Sequence, residues 1–392
     1  MNGLSRKIYL ELPLPTEDDP RSDQQRILDS LAVAGVEERV HITVHILRKL
    51  YPLLDNAKWK ITVSLAWNGE NWEMVEIEEG DTTAQHYGLA VDLGSTTVVA
   101  RLLDCNSGEI LKEVSCFNKQ IQWGTDILSR IFYCKDNKEK LEEVRRATVE
   151  SICECMDKLD ASLEMQGTPS EQKAENNGVS ESCDDRGAKN AAPKSRSISR
   201  SALSMVIAGN TTMIHFLLGM DSFCVFYTPH AVHADRPGFQ LARDLDIPLK
   251  GYVYCYPAKS NYLGGDIISG MIDTELYKKN EISVFFDIGT NGELVIGNKE
   301  FLLCGAGAAG PALEGGVVRT GMRADVGAVD EVKIRDGNIF VHVIGNSAPQ
   351  GICGSGIIDL IAELFLEGWI DIRGKLSPEK SPLIQERDNQ LC

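Results

Sequence analysis

From the amino terminus the chain shows short runs of alternating polarity separated by stretches with helical spacing. Lys7 to Leu12 alternates as a strand does, and Pro13 and Pro15 end it. Ser22 to Leu31 reads as a helix. Thr43 to Leu54 reads as a second, with Ile42, Val44, Ile46, Leu47, Leu50 and Leu54 apolar. Strand patterns follow at Trp59–Trp67 and Trp72–Ile77, and Gly80-Asp81 opens a polar connection. Residues 1–85 are therefore expected to form a small α+β unit. It carries no catalytic chemistry, so docking or a homodimer contact is its expected use.

Beyond it, Tyr87–Leu103 reads as a β-hairpin, with apolar runs entering and leaving a polar, glycine-containing tip. From Lys138 to about Met165, Leu141, Val144, Ile152, Met156, Leu159 and Leu163 recur at helical spacing. Gln166–Ser201 has almost nothing apolar and is expected to be a disordered surface insertion. Order returns with a strand at Leu203–Ala208 and helices at Met213–Leu218 and Ile267–Tyr277. A second hairpin pattern covers Ser283–Ile296. A strand at Phe301–Cys304 follows, and a helix at Ile357–Glu367 ends at Gly368. The domains expected are residues 86–280, carrying the insertion 166–201, and residues 281–392.

The first hairpin tip has the chemistry of a phosphate clamp. Gly94 lets the backbone approach a ligand closely, Ser95, Thr96 and Thr97 supply hydroxyl and amide donors, and Asp92 can hold a hydrated Mg²⁺ against phosphates. Asp287, Gly289, Thr290, Asn291 and Gly292 repeat that order about 195 residues later, which suggests two related subdomains. The pair resembles the two phosphate motifs of the ASKHA superfamily, which holds acetate and sugar kinases, heat-shock chaperone ATPases and actin.

Composition narrows the partners. A chain of 392 residues, 43% hydrophobic and 25% charged, can bury more than one core. Its 57 acidic and 40 basic residues give a net charge of −17, which argues against nucleic acid and leaves an ATP site to backbone dipoles and Mg²⁺. No window approaches the ~20 apolar residues of a membrane span, and the N-terminus has no long apolar core, so the chain reads as cytoplasmic. The eleven cysteines include no C-x-x-C and no C-x₄-C-x₂-C, and reduced, mostly buried thiols are expected. The seven histidines show no metal-ligand spacing.

Gly209-Asn210-Thr211-Thr212 joins a strand to a helix, so it either places backbone amides near an anion or simply makes a tight turn. Asp266 follows Gly264-Gly265 near a helix start, where it is either a cap or a carboxylate aimed into a cleft. Gly305-Ala306-Gly307-Ala308-Ala309-Gly310 satisfies G-x-G-x-x-G, but Gly315-Gly316 would end any helix after about one turn, against a dinucleotide fold. A glycine-rich wall beside a nucleotide, with Gly310 in it, fits better. Gly354 and Ser355 open the last helix, whose amides could face the nucleotide. There is no Walker A motif. Asn118-Lys119-Gln120 and Trp123-Gly124-Thr125-Asp126 lead from the hairpin into a helix containing Arg130, and these polar residues either contact a ligand or partner or make caps and loop hydrogen bonds, so they are left unassigned.

In this order, AVDLGSTTVVA, AGNTTMIHFLLG, YLGGDIISGMI, FFDIGTNGELVIGN, AAGPALEGG and GICGSGIIDLIAELF resemble the ASKHA domain of the reductive activators of corrinoid proteins. The unit containing KIYLELPLP resembles that family's middle domain. The resemblance implies a two-lobed ASKHA α/β fold behind a small α+β domain. It also implies an ATP-hydrolysing activator that re-reduces a Co(II) corrinoid on a methyl-transferring partner protein to Co(I). In that reading Asp92 and Asp287 hold a hydrated Mg²⁺, and Asp266 orients the attacking water. The family continues past the point corresponding to Cys392, so the second subdomain is expected to be incomplete. Many members carry iron–sulfur cysteines that this chain does not show, so an external electron donor is expected. A small-molecule kinase on the same fold and a nucleotide-responsive binding module are the alternatives.

Overall fold

The structure, a computed structural model, describes residues 3–124, 126–166, 197–261, 263–289, 292–307, 319–322, 324–387 and 390–391. Two compact units are described, Met1–Gly270 and Met271–Cys392, divided inside a helix. Thr290, Asn291, Gly310 and positions 167–196 of the polar stretch lie outside the described residues.

The first unit opens with β1 (Ser5–Glu11), α1 (Asp23–Val33), β2 (Val40–Ile42), α2 (Val44–Leu47), α3 (Leu50–Asn56), β3 (Lys60–Trp67) and β4 (Trp72–Glu79). The strands form one sheet in the order β1-β3-β4-β2. Ile27, Leu31, Ile46, Leu50 and Leu54 from the helices share a core with Ile61, Val63, Leu65, Trp72 and Met74. Ser22 caps α1 by accepting from the Gln25 amide at 3.2 Å. The single helix expected over Thr43–Leu54 is broken in two. Pro52 has no N–H to give Arg48, and its ring would collide with that carbonyl, so the helix restarts at Leu50 and Pro52 falls in the first turn, where no donor is needed.

A six-stranded sheet follows, built from β5 (Tyr87–Leu93), β6 (Thr97–Asp104), β7 (Ile110–Phe117), β8 (Ser204–Gly209), β9 (Gly238–Leu241) and β10 (Tyr252–Cys255), in the order β7-β6-β5-β8-β10-β9. β5 and β6 form the antiparallel hairpin expected, with Leu93 opposite Val98. β5, β8 and β10 run parallel and end at one edge. Between β7 and β8 come α4 (Ile127–Cys134) and α5 (Lys138–Gln166). Val144, Ile152, Met156 and Leu159 of α5 are buried with Leu89, Val91, Val98 and Leu102 of the sheet. Ser197 to Ser201, which composition assigns to the insertion, is packed chain. Ser199 is fully buried, its amide and hydroxyl both donating to Asp160 at 2.8 and 2.9 Å.

The small sheet is joined to the large one by partly buried polar contacts. Glu76 accepts from Lys49 at 2.9 Å and from Lys250, and the Tyr252 hydroxyl donates to Glu73 at 2.7 Å. After β8 comes α6 (Thr211–Leu217), and after β10 comes α7 (Gly265–Thr274). Glu275, with φ of 49°, turns the chain out of α7 before the expected end at Tyr277.

In the second unit, β11 (Ser283–Ile288), β12 (Gly292–Gly297) and β13 (Leu302–Gly307) form an antiparallel sheet. β13 settles the glycine motif. Gly305 and Gly307 are strand residues, Gly307 pairing with Gly292, and an antiparallel strand is not the first strand of a βαβ dinucleotide unit. β14 (Ala328–Arg335) pairs with β15 (Asn338–Val343) on one side and briefly with β16 (Gly351–Ile352) on the other. Beyond that short pairing, α8 (Gly354–Leu366) supplies the missing acceptors: Asp359 accepts from the Val332 amide at 3.3 Å and Glu363 from the Ile334 amide at 2.8 Å.

Candidate functional site

Three loops meet where β5, β8 and β10 end, the position at which open α/β sheets bind ligands. The register places Asp92 beside Ala208 and Leu93 beside Gly209, so the hairpin tip and the β8–α6 turn are neighbours. Glycines bring the backbones into contact. A Cβ on Gly94 would lie 2.4 Å from the Thr97 carbonyl, and one on Gly209 would lie 2.7 Å from the Leu93 carbonyl. The turn before α7 closes on the same point, since a Cβ on Gly264 would lie 2.4 Å from both Asn210 Cα and the Gly209 carbonyl. The turns that carry Asp92, Asn210 and Asp266 are thereby brought to one edge.

The side chains divide into those facing out and those used inside. Asp92 and Thr97 are exposed, while Thr96, Gly94 and Asp266 are half-buried. Ser95 is buried, its carbonyl taken by Arg130 at 2.7 Å. Asn210 is the N-cap of α6, accepting from the Met213 amide at 3.0 Å. The Thr211 hydroxyl donates to the Ser260 carbonyl at 2.6 Å, and Thr212 is buried. The Asn210 and Thr211 side chains are thus engaged within the turn itself. Asp266 lies in the first turn of α7, its carboxylate accepting from the Ile267 amide at 2.8 Å, a favourable place for a negative charge.

Two buried residues left unassigned hold the tip from beneath. Asn118 donates to the Gly94 carbonyl through its side chain at 2.9 Å and to the Thr96 carbonyl through its amide at 2.8 Å. Arg130 joins Ser95 to Gly124 at 3.0 Å and to the Gln120 side chain at 3.1 Å. One sign was available in sequence. Arg130 is four residues before Cys134 and so shares its buried helix face.

In the second unit, β11 and β12 form the second hairpin, with Ile288 opposite Gly292. Asp287 is half-buried, and burial pushes its carboxyl above the ordinary value. Glu293, buried and directly opposite on β12, went unnoticed in the sequence, where only the tip was read. Gly289 follows β11. Gly354 and Ser355 form the first turn of α8, with Ser355 exposed.

Among the described residues no group of three His, Cys, Asp or Glu is placed to hold a metal. Asp92, an exposed hard oxygen donor beside glycine-lined turns, suits Mg²⁺, which keeps its waters and needs one or two carboxylates plus phosphate oxygens. A separate cleft of about 570 Å³ lies between the two sheets of the first unit, walled by Trp67, Trp72, Phe239, Tyr254 and Tyr256. None of the candidate residues lines it. Among the described residues no helix is long and apolar enough to cross a membrane.

Comparison with known proteins gives three consecutive family matches. Residues 1–84 match the linker region of RACo, residues 87–172 and 182–279 its middle region, and residues 281–391 the model described as the C-terminal domain of RACo, the ASKHA domain. The small N-terminal unit thus corresponds to the linker and not to the middle domain. The chain is 33% identical over 291 residues to the corrinoid activation enzyme RamQ of Eubacterium limosum, covering 74% of this chain and 43% of that protein. It is 35% identical over 77 residues to a [Co(II) methylated amine-specific corrinoid protein] reductase of Methanosarcina barkeri, covering 20% of this chain and 14% of that protein. A solved reductive activator for corrinoid, iron–sulfur protein superposes with a TM-score of 0.76 at 33% identity, over 100% of this chain and 58% of that one. The chain therefore spans about half the length of these first relatives.

Proposed function

The chain belongs to the family of reductive activators of corrinoid proteins, and from that membership we propose that it hydrolyses Mg-ATP to drive re-reduction of a protein-bound Co(II) corrinoid to Co(I), with one electron arriving from an external donor. Its fold is accordingly of the ASKHA type, mixed α/β, with a small α+β unit ahead of it. The convergence of the Gly94 tip, the Gly209-Asn210 turn and Asp266 at one sheet edge carries the nucleotide half of the reading. The matches to corrinoid activators support the other half.

The tip from Gly94 to Thr97 presents backbone to the phosphates, and the Gly209-Asn210 turn extends that surface. Asp92 would hold the hydrated Mg²⁺, and Asp287 on the second hairpin has the same chemistry. Bound there, Mg²⁺ would neutralise charge on the phosphate oxygens. Asp266 accepts a hydrogen bond from the attacking water and orients it, a task that needs an ionised carboxylate. Gly289, Thr290, Asn291 and Gly292 are assigned to phosphate in the second hairpin, and Gly310, Gly354 and Ser355 to the nucleotide. ATP assists reduction by stabilising a conformation that the corrinoid protein binds preferentially and in which cobalt accepts an electron more readily.

The test mixes the purified chain, ATP and a Co(II) corrinoid protein and follows the visible spectrum with and without a low-potential reductant. Co(I) is expected only when ATP and reductant are both present. Co(I) without reductant would refute the external donor. No ATP effect even with reductant would favour a nucleotide-responsive binding module, and ATP turnover stimulated by a metabolite instead would favour a kinase.

A further inference from the structure

Arg130 is fully buried, yet among the described residues no carboxylate is one of its hydrogen-bond partners. Those partners are neutral: the Ser95 and Gly124 carbonyls and the Gln120 side chain. Its Nη2 has no partner among the described residues. The Met213 sulfur, from the first turns of α6, lies 4.0 Å from Nη1, so the guanidinium sits below both the hairpin tip and the β8–α6 turn. The carboxylate whose field reaches it, Asp126, has its oxygens on the Ser129 amide at 2.8 Å and the Ser129 hydroxyl at 2.6 Å. Burial lowers the Arg130 pKa to about 10, which leaves the group charged at neutral pH.

A buried cation normally has a counter-charge, because neutral acceptors do not offset its lost hydration. Neutral donors would satisfy the same three acceptors. Among the described residues the charge is met only by the field of Asp126, which makes no hydrogen bond to the guanidinium, and a surface able to hold a further counter-ion is the tip that Arg130 grips through Ser95. We propose that Arg130 is the positioning residue of the phosphate clamp, holding the Ser95–Thr97 tip in shape while its charge favours a polyanionic ligand there, with phosphate as the missing counter-anion. This rests on the nucleotide reading above and adds a residue and a charge requirement to it. Arg130 acts without touching the ligand, through the Ser95 peptide and through its field.

The experiment measures binding of MgATP, MgADP and adenosine to the full chain and to Arg130→Met and Arg130→Lys, with thermal melting as a check on folding. For Arg130→Met the expected loss is at least about tenfold for MgATP, smaller for MgADP and within about twofold for adenosine, because only phosphate charge feels the cation. Arg130→Lys should keep the preference for MgATP over adenosine within about threefold of the wild-type ratio. Equal losses for MgATP and adenosine in Arg130→Met would show a merely structural staple and overturn the proposal, as would unchanged MgATP affinity. Should Arg130→Met not fold, Arg130→Lys decides: a retained preference supports the charge, and its collapse overturns it. A wild-type chain that binds no adenine nucleotide would overturn the nucleotide reading and this proposal together. Wild-type binding with an indifferent Arg130→Met would overturn only this one.

Discussion

Gly264→Ala tests directly whether the three loops are pressed together as described. The added methyl would lie 2.4 Å from both Asn210 Cα and the Gly209 carbonyl, where ordinary contact begins near 3.4 Å. Both obstacles are backbone, so no side chain can swing away, and the two turns must separate by about 1 Å. Overpacking of this kind costs about 1–3 kcal/mol. For a unit of this size that corresponds to a melting point lower by roughly 2–12 °C. Catalysis should suffer more, since a misplacement of ~1 Å costs on the order of a hundredfold in rate. The measurements are thermal melting and ATP turnover with its corrinoid stimulation. Gly3→Ala is the control, because a Cβ there meets only the Ser5 carbonyl at 3.5 Å, an ordinary contact. Wild-type melting and turnover in Gly264→Ala would refute the packing of the site, and equal damage in Gly3→Ala would make the effect nonspecific.

Asp266→Asn keeps shape and removes charge, so turnover should fall by at least about tenfold while nucleotide affinity changes less than about threefold. Normal turnover would leave Asp266 as a helix-end charge only. Burial alone would raise the Glu76 carboxyl, but hydrogen bonds from Lys250 and Lys49 outweigh it and hold the pKa below its ordinary value. The folded pKa is depressed, so this contribution to stability is present above the unfolded value near 4.5 and is lost as pH falls through the folded one. Glu76→Gln should therefore melt lower at pH 7 and show a smaller loss on acidification below about pH 4.5 than the wild type; parallel pH profiles would refute the account.

Both hairpins were legible because their strands are apolar runs that stop at a glycine-containing tip, a local signal that tertiary structure did not override. Pro52 was legible too, but helical periodicity was followed through it, and the helix broke there. The edges of the polar stretch were misread because Ser197–Ser201 looks solvated by composition while Asp160, distant in sequence, satisfies its donors. The site was visible as a set of loops and opaque in its division of labour. Nothing local distinguishes Thr211, tied to Ser260, from Thr97, which is exposed. The supports beneath the tip, Asn118 and Arg130, could be placed only once α4 and the hairpin were in the same unit.

The parallel pairing of β5 with β8 also imposes an order in time. More than a hundred residues separate Leu93 from its partner Gly209, and the growing chain must be extended through all of them before that edge of the sheet can close. At about 5–20 residues per second, a nascent chain carries β5 for roughly 5–20 s with one side paired to β6 and the other open. That open side belongs to the strand that ends in Asp92. The candidate site is therefore assembled late, from a half that must stay soluble on the ribosome before the other half exists.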